Sequence, residues 1–150
     1  MSFRFTKLGF TNALWSLIPI FPAWTLFPGV LVAEFLTGKV FNCETSYRLI
    51  LSISVALILL STLYYFGRLE QKLAKGKNVV KDSFRVFNLA IYTLVNTAAL
   101  ILIIGTDLAC NGDGQTLLAC LYSGPLASLS LILIGFLADL KISTTTHNNT

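Results

Sequence analysis

The chain has 150 residues, of which 55% are hydrophobic and only 12% are charged. This composition excludes an ordinary water-soluble domain, because soluble chains carry about 25% charged residues. The net charge of +4 comes mostly from one short segment, so it indicates orientation in a membrane, and no nucleic-acid partner is expected.

Four apolar runs are long enough to cross a membrane. A helix needs about 20 predominantly apolar residues to span the ~30 Å hydrocarbon core. The runs lie within residues 8–37, 47–66, 86–106 and 116–140. The sequence therefore predicts an all-α fold, an integral membrane bundle of four transmembrane helices over residues 1–142, followed by a disordered polar tail over residues 143–150.

The first run is interrupted by Pro19, Pro22 and Pro28. Each interior proline removes a backbone hydrogen bond and clashes with the preceding turn. In one interpretation, residues 3–17 form an interfacial helix and residues 20–36 cross the membrane. In the other, the whole run is one continuous kinked helix, because membrane helices tolerate proline. No signal-peptide cleavage site is evident, so we expect the run to remain in the mature protein.

Basic residues predict the orientation. The segment between the second and third runs contains six of them, whereas the connection between the third and fourth contains none. Because Lys and Arg are retained on the cytosolic side, this basic loop and both chain termini are predicted to be cytosolic. The loop is also a candidate for contact with anionic lipid. Its basic residues are Arg68, Lys72, Lys75, Lys77, Lys81 and Arg85.

Two of the three cysteines share a side of the membrane in this topology. Cys43 and Cys110 both fall in lumenal connections, an oxidising setting in which neighbouring thiols pair. We predict a disulfide between them; the alternative is two unpaired thiols. Cys120 lies inside the fourth run and is expected to be a small packing residue.

Three polar side chains interrupt the apolar runs. Glu34 lies near the lumenal end of the first crossing, where it either reaches the headgroup zone or serves transport. Asn88 and Asn96 share one face of the third helix. They either bond neighbouring helices or line a pore.

The fourth run carries small residues at close-packing spacing. Gly124 and Ser128 are four residues apart, which lets another helix backbone approach. Pro125 between them predicts a local kink. Asp139 stands at the end of the run, where we expect it to reach the headgroup zone.

No catalytic or metal-binding constellation is visible. The one histidine, His147, lies in the polar tail, and paired carboxylates, Cys-x-x-Cys and phosphate-binding loops are absent from the sequence. We therefore expect a protein that is not an enzyme and that has no cofactor and no metal.

Short motifs between residues 25 and 137 carry a family resemblance. Thr25-Leu26-Phe27-Pro28 leads to Gly38-Lys39 and Cys43, a helix ends in Tyr65-Phe66, and Cys110 is followed by Gln115-Thr116-Leu117-Leu118-Ala119, Leu121 and Gly124. In these features the chain resembles the plant DMP family, four-helix membrane proteins built on a domain of unknown function. The resemblance implies a protein of the endoplasmic reticulum or vacuolar membrane, linked to membrane remodelling or fusion in senescence and reproduction.

The function we expect is that of a non-enzymatic endomembrane protein that remodels or fuses membranes. Its expected partners are membrane lipid, together with further copies of the chain or other membrane proteins. One alternative is a small transporter or channel that uses Glu34, Asn88 and Asn96. The other is an accessory subunit of a larger membrane complex.

Overall fold

The computed structural model describes residues 4–18, 20–111 and 116–148. The regular elements in these ranges are all helices: α1 (Arg4–Ser16), α2 (Ile20–Lys39), α3 (Cys43–Gly67), α4 (Leu69–Lys75), α5 (Lys77–Asn111) and α6 (Thr116–Asn148). Four segments are long and apolar enough to cross a membrane, namely Ile20–Lys39, Cys43–Gly67, Val80–Gly105 and Leu121–Ser143. The predicted all-α membrane bundle with four spans is confirmed.

The two ends of the bundle differ in chemistry. α3 and α5 run antiparallel, so that Tyr65 stacks on Phe87 near one end and Ile50 packs with Ile101 towards the other. The first end, which we call the basic end, holds α4, the described chain termini and nine of the 11 Lys and Arg residues. The opposite end, which we call the disulfide end, holds the Cys43–Cys110 bond.

The first apolar run forms two helices that separate between Ser16 and Ile20. α1 lies beside the basic half of α5, where Phe5 packs edge-on against Phe84. α2 lies beside the disulfide half, where Leu26 packs with Leu100, Ile104 and Ala119. The structure thus agrees with the first interpretation in dividing the run into two helices. The run is split near its prolines, yet α1 is packed within the bundle and does not lie apart along the membrane interface.

Backbone contact with α6 explains why α1 belongs to the bundle. A Cβ at Gly9 would lie 2.4 Å from the carbonyl oxygen of Leu131, and a Cβ at Gly135 would lie 2.5 Å from that of Phe5. Both distances are far below van der Waals contact, so these positions accept no side chain unless a backbone moves. The two glycines therefore allow α1 to run antiparallel along α6 at very short range.

A side chain of α6 caps the first turn of α1. Asp139 is 4% exposed, and its carboxylate accepts hydrogen bonds from the backbone N–H groups of Phe5 (3.1 Å) and Thr6 (2.8 Å) and from the Thr6 hydroxyl (2.7 Å). A carboxylate here satisfies N–H groups that the helix leaves unpaired and complements the positive end of the helix dipole. The expected headgroup location of Asp139 is therefore replaced by a buried structural role.

The segment predicted as a basic loop is helical. Gly76, with a φ of 120°, forms the turn between α4 and α5, a backbone conformation that glycine adopts readily and other residues rarely do. α5 bends again at Gly105, where φ is 69°.

α6 differs from its predicted end. It continues to Asn148, where a disordered tail is predicted from residue 143. No glycine or proline follows Gly135 in the sequence to stop the helix. Residues 149–150 of the predicted tail lie outside the described part of the chain.

Candidate functional site

A cleft opens on the side of the bundle in its basic half, and we call it the lateral cleft. At the break the chain passes from α1, which packs on α6, to α2, which packs on α5, and Arg85 and Leu89 of α5 are left exposed beside α1. The lateral cleft has a volume of about 250 Å³. It is lined by Asn12, Trp15, Phe21, Arg85, Asn88, Leu89, Tyr92 and Leu131.

Asn88, which lines the lateral cleft, carries an unpaired amide. Its side chain is 1% exposed, and neither Nδ2 nor Oδ1 has a hydrogen-bond partner among the described residues. A buried amide without a partner costs roughly 1–3 kcal/mol in proteins. Such a group in a native structure calls for an explanation, and a ligand in the lateral cleft would supply one.

Arg85 supplies a positive charge one helical turn nearer the basic end. Its guanidinium lies 3.6 Å from the carboxylate of Asp82, and both side chains are more than half exposed. An exposed pair of this kind is worth about 0–1 kcal/mol. Arg85 is therefore free to bind a stronger anion at the lateral cleft.

The inner end of the lateral cleft is closed by hydrogen bonds and an aromatic contact. The Tyr92 hydroxyl donates to the carbonyl oxygen of Ser16 (3.3 Å), and the Ser16 and Ser128 hydroxyls are 2.6 Å apart. The ring of Phe21 lies 5.1 Å from that of Tyr92. These contacts hold α1, α2, α5 and α6 together at the break, so the lateral cleft has a fixed inner wall.

Asn96 differs from Asn88 although both lie on the same face of α5. The Asn96 Nδ2 donates to the carbonyl oxygen of Pro22 (3.2 Å) and to the hydroxyl of Thr25 (3.1 Å). These bonds join α5 to α2 close to the break. The sequence left two roles open for this face, namely hydrogen bonding between helices and lining of a pore. Asn96 has the first role, whereas Asn88 has no hydrogen-bond partner among the described residues.

Glu34 lies apart from both asparagines. It is exposed on α2, next to Ala33, which packs with Ile50 and Ile101 in the disulfide half. It makes no hydrogen bond or ion pair with a described residue. The structure therefore does not assemble Glu34, Asn88 and Asn96 into one site.

The disulfide joins the two helix ends at the disulfide end. Cys43 begins α3 and Cys110 is the penultimate residue of α5; their sulphur atoms are bonded and their Cα atoms lie 5.8 Å apart. This is the pair that the sequence predicts. It links α3 to α5 through two cysteines that are 67 residues apart in the chain.

The six basic residues predicted to contact anionic lipid differ in their surroundings. Lys72 donates a hydrogen bond to the Ser83 hydroxyl and lies 4.5 Å above the ring of Tyr65. Burial, and secondarily the neighbouring Arg68 guanidinium, lower the pKa of Lys72. The side chain of Lys77 lies outside the described part of the structure. The others are exposed and available to headgroups: Arg68, Lys75, Lys81 and Arg85.

The small-residue face of α6 is used inside the chain. A Cβ at Gly124 would lie 2.7 Å from Cγ of Pro22, and Ser128 contacts Ser16. The predicted close approach thus occurs, and the helices that approach this face of α6 are α1 and α2. The sequence interpretation missed that α1 takes part. Gly9 and Ala13 also have small-xxx-small spacing, and this signal could have indicated that α1 packs on α6.

No family model, no curated protein and no solved structure matches this chain. Membership of the DMP family therefore remains a prediction from short motifs. Among the described residues, no group of three or more His, Cys, Asp or Glu side chains is placed to hold a metal ion.

Proposed function

We propose that this chain is a non-enzymatic endomembrane protein that remodels the bilayer. The observation that carries the proposal is the placement of α1, which starts at the basic end and stops inside the bundle beside Ser128. Its outer face is apolar, with Phe10 and Leu14 51% and 53% exposed and Trp15 67% exposed. α1 therefore presents bulky apolar side chains to the lipid of one leaflet.

The break in the first crossing gives the two halves of the bundle different outlines. In the disulfide half, α2 packs on α5 and also contacts α3 through Ala33 and Ile50. In the basic half, α1 stands against α6 and the lateral cleft lies open beside α5. A protein that occupies one leaflet more broadly than the other favours curvature, as helices inserted into one leaflet do.

The charges support a fixed orientation for this asymmetry. Each Lys or Arg near an anionic membrane surface contributes about 1 kcal/mol of attraction. Nine basic residues lie at the basic end, which supports a cytosolic orientation for that end and for α1 with it. The resemblance to the DMP family adds the endoplasmic reticulum or vacuolar membrane as the compartment.

Matched surface variants test the role of α1. Phe10→Ser with Leu14→Ser removes apolar side chains from the exposed face of α1. Leu59→Ser with Leu63→Ser does the same on α3, where these residues are 59% and 70% exposed. In reconstituted vesicles imaged by electron cryo-microscopy, we expect the wild type and the α3 variant to produce tubules or small vesicles. The α1 variant should produce fewer, because less apolar surface enters the leaflet.

Two results would contradict the proposal. In the first, vesicles keep their shape at a high density of wild-type protein. In the second, both double variants produce equally few tubules and small vesicles. In cells, a fluorescently tagged chain should alter endomembrane morphology, and deletion of residues 2–17 should weaken the effect. Protease added from the cytosol should cut between α3 and α5, and cleavage from the lumen alone would overturn the orientation.

The alternative of a transporter or channel has less support, because Glu34 is exposed and Asn96 is bonded to α2. Ion or solute flux across vesicles containing the purified protein distinguishes it from remodelling. Comigration with other polypeptides on blue-native electrophoresis would favour an accessory subunit.

A further inference from the structure

The geometry points to the lateral cleft as a binding site for one anionic glycerophospholipid of the leaflet at the basic end. Arg85 would hold the lipid phosphate, and the amide of Asn88 would bond the ester oxygens of the glycerol backbone. This inference goes beyond the proposed function, because it concerns a single bound lipid and requires no deformation of the bilayer.

Arg85 directly precedes the apolar run of residues 86–106, so we expect its guanidinium near the lipid headgroups. Arg85 is the sixth residue of the span Val80–Gly105, about 8 Å along the helix from the start of the span. Guanidinium binds phosphate through two parallel hydrogen bonds, which are stronger than bonds between neutral groups. Its only described ion-pair partner, Asp82, is exposed and 3.6 Å away, so a phosphate would compete well for it.

Asn88 lies deeper by three residues, about 4.5 Å along the helix. This is the direction in which the ester groups of a glycerophospholipid follow its phosphate. The Nδ2 group can donate to an ester carbonyl oxygen, which pairs the donor half of the amide that the described residues leave unpaired. A purely apolar occupant would leave this amide unpaired, and a fully hydrophilic one would not suit the rest of the lining.

The remaining lining is suited to the upper part of acyl chains. Trp15, Leu89 and Leu131 line the lateral cleft, which at about 250 Å³ is smaller than the usual ligand pocket. It therefore accommodates only the part of the lipid near the headgroup, and the chains extend sideways into the bilayer. The net positive charge of the basic end favours an anionic lipid over a zwitterionic one.

Trp15 provides the readout. The chain contains two tryptophans, so Trp24→Phe leaves Trp15 as the only one. This single-tryptophan protein, reconstituted in nanodiscs, is titrated with brominated phosphatidic acid and, separately, with brominated phosphatidylcholine. We expect phosphatidic acid to quench Trp15 fluorescence at a lower mole fraction, with saturation at one lipid per chain.

Two variants of equal charge change separate the lateral cleft from general surface attraction. Arg85→Gln should raise the half-saturating mole fraction of phosphatidic acid about tenfold, the effect of losing a charge-assisted hydrogen bond. Lys81→Gln removes the same charge from an exposed residue that does not line the lateral cleft. It should change the value by less than about twofold. Asn88→Leu, which keeps the volume, should also weaken selective quenching.

Three outcomes would overturn the inference. If phosphatidylcholine quenches Trp15 at the same mole fraction as phosphatidic acid, the lipid contact is unselective. Equal effects of Arg85→Gln and Lys81→Gln would show attraction by the surface as a whole. Loss of quenching on addition of inorganic phosphate would indicate a site for a soluble anion. Because vesicle shape plays no part in this assay, lipid binding can fail while remodelling stands, and the reverse also holds.

Discussion

Removal of the Asp139 carboxylate should detach the first turn of α1 from α6. In Asp139→Ala, the backbone N–H groups of Phe5 and Thr6 lose their acceptors at 3.1 and 2.8 Å, and the Thr6 hydroxyl loses its acceptor at 2.7 Å. Each buried N–H left unpaired costs about 1–3 kcal/mol. The hydroxyl can turn to another acceptor, so we expect a total loss of about 3 kcal/mol, which is above the roughly 0.5–2 kcal/mol of a single helix cap because two buried N–H groups are left unpaired.

Thermal unfolding in detergent measures this loss. For a chain of this size, 1 kcal/mol corresponds to roughly 2–4 °C in Tm, so Asp139→Ala should lower Tm by about 6–12 °C. Hydrogen exchange followed by mass spectrometry should show faster exchange in α1 peptides and unchanged exchange in α3. Asp82→Ala is the control, because its exposed carboxylate pairs only weakly with Arg85 and should leave Tm within about 2 °C of the wild type.

A shift in Tm no larger for Asp139→Ala than for Asp82→Ala would refute the reasoning. So would faster exchange spread evenly over all helices, because the cap acts on α1 alone. Either result would mean that the packing at Gly9 and Gly135, and not the hydrogen bonds, holds α1 in place.

The remaining predictions concern the glycine contact, the disulfide and the two asparagines. Gly135→Ala places a Cβ 2.5 Å from a backbone oxygen and should cost about 1–3 kcal/mol of stability, whereas Gly38→Ala, with nothing within 4 Å, should cost none in the same thermal assay. Cys43→Ser opens a loop of 67 residues and should cost about 4 kcal/mol of stability. It should also abolish the mobility difference between reducing and non-reducing gels. Persistence of that difference would contradict the pairing of Cys43 with Cys110. Asn88→Leu should raise the denaturation midpoint of the lipid-free protein, because the amide of Asn88 is unpaired. Asn96→Leu should lower stability by about 1 kcal/mol. Shifts in the same direction would contradict the different roles assigned to the two asparagines.

The site was only partly predictable from the sequence. Asn88, Asn96 and Arg85 are recognisable as unusual because a polar group within or beside an apolar run carries a cost that a sequence shows directly. That Asn96 bonds Pro22 and Thr25 while Asn88 lines the lateral cleft depends on where α1 ends and α2 begins. Both asparagines have the same local sequence character, so no local rule separates them.

The sequence by itself determined the number of spans, their approximate bounds, the placement of both described ends of the chain at one end of the bundle and the choice of Cys43 and Cys110 as partners. These follow from run length, from the distribution of charge and from the alternation of connections between the two sides of the membrane. Each of these properties can be read from the sequence without knowledge of tertiary contacts. Only the tertiary structure decided that α1 docks on α6, that Asp139 caps a helix 133 residues away, and that the shift at the break opens the lateral cleft. Those outcomes depend on the fit between two helix surfaces, and hydropathy, which measures transfer from water to lipid residue by residue, contains no information about that fit.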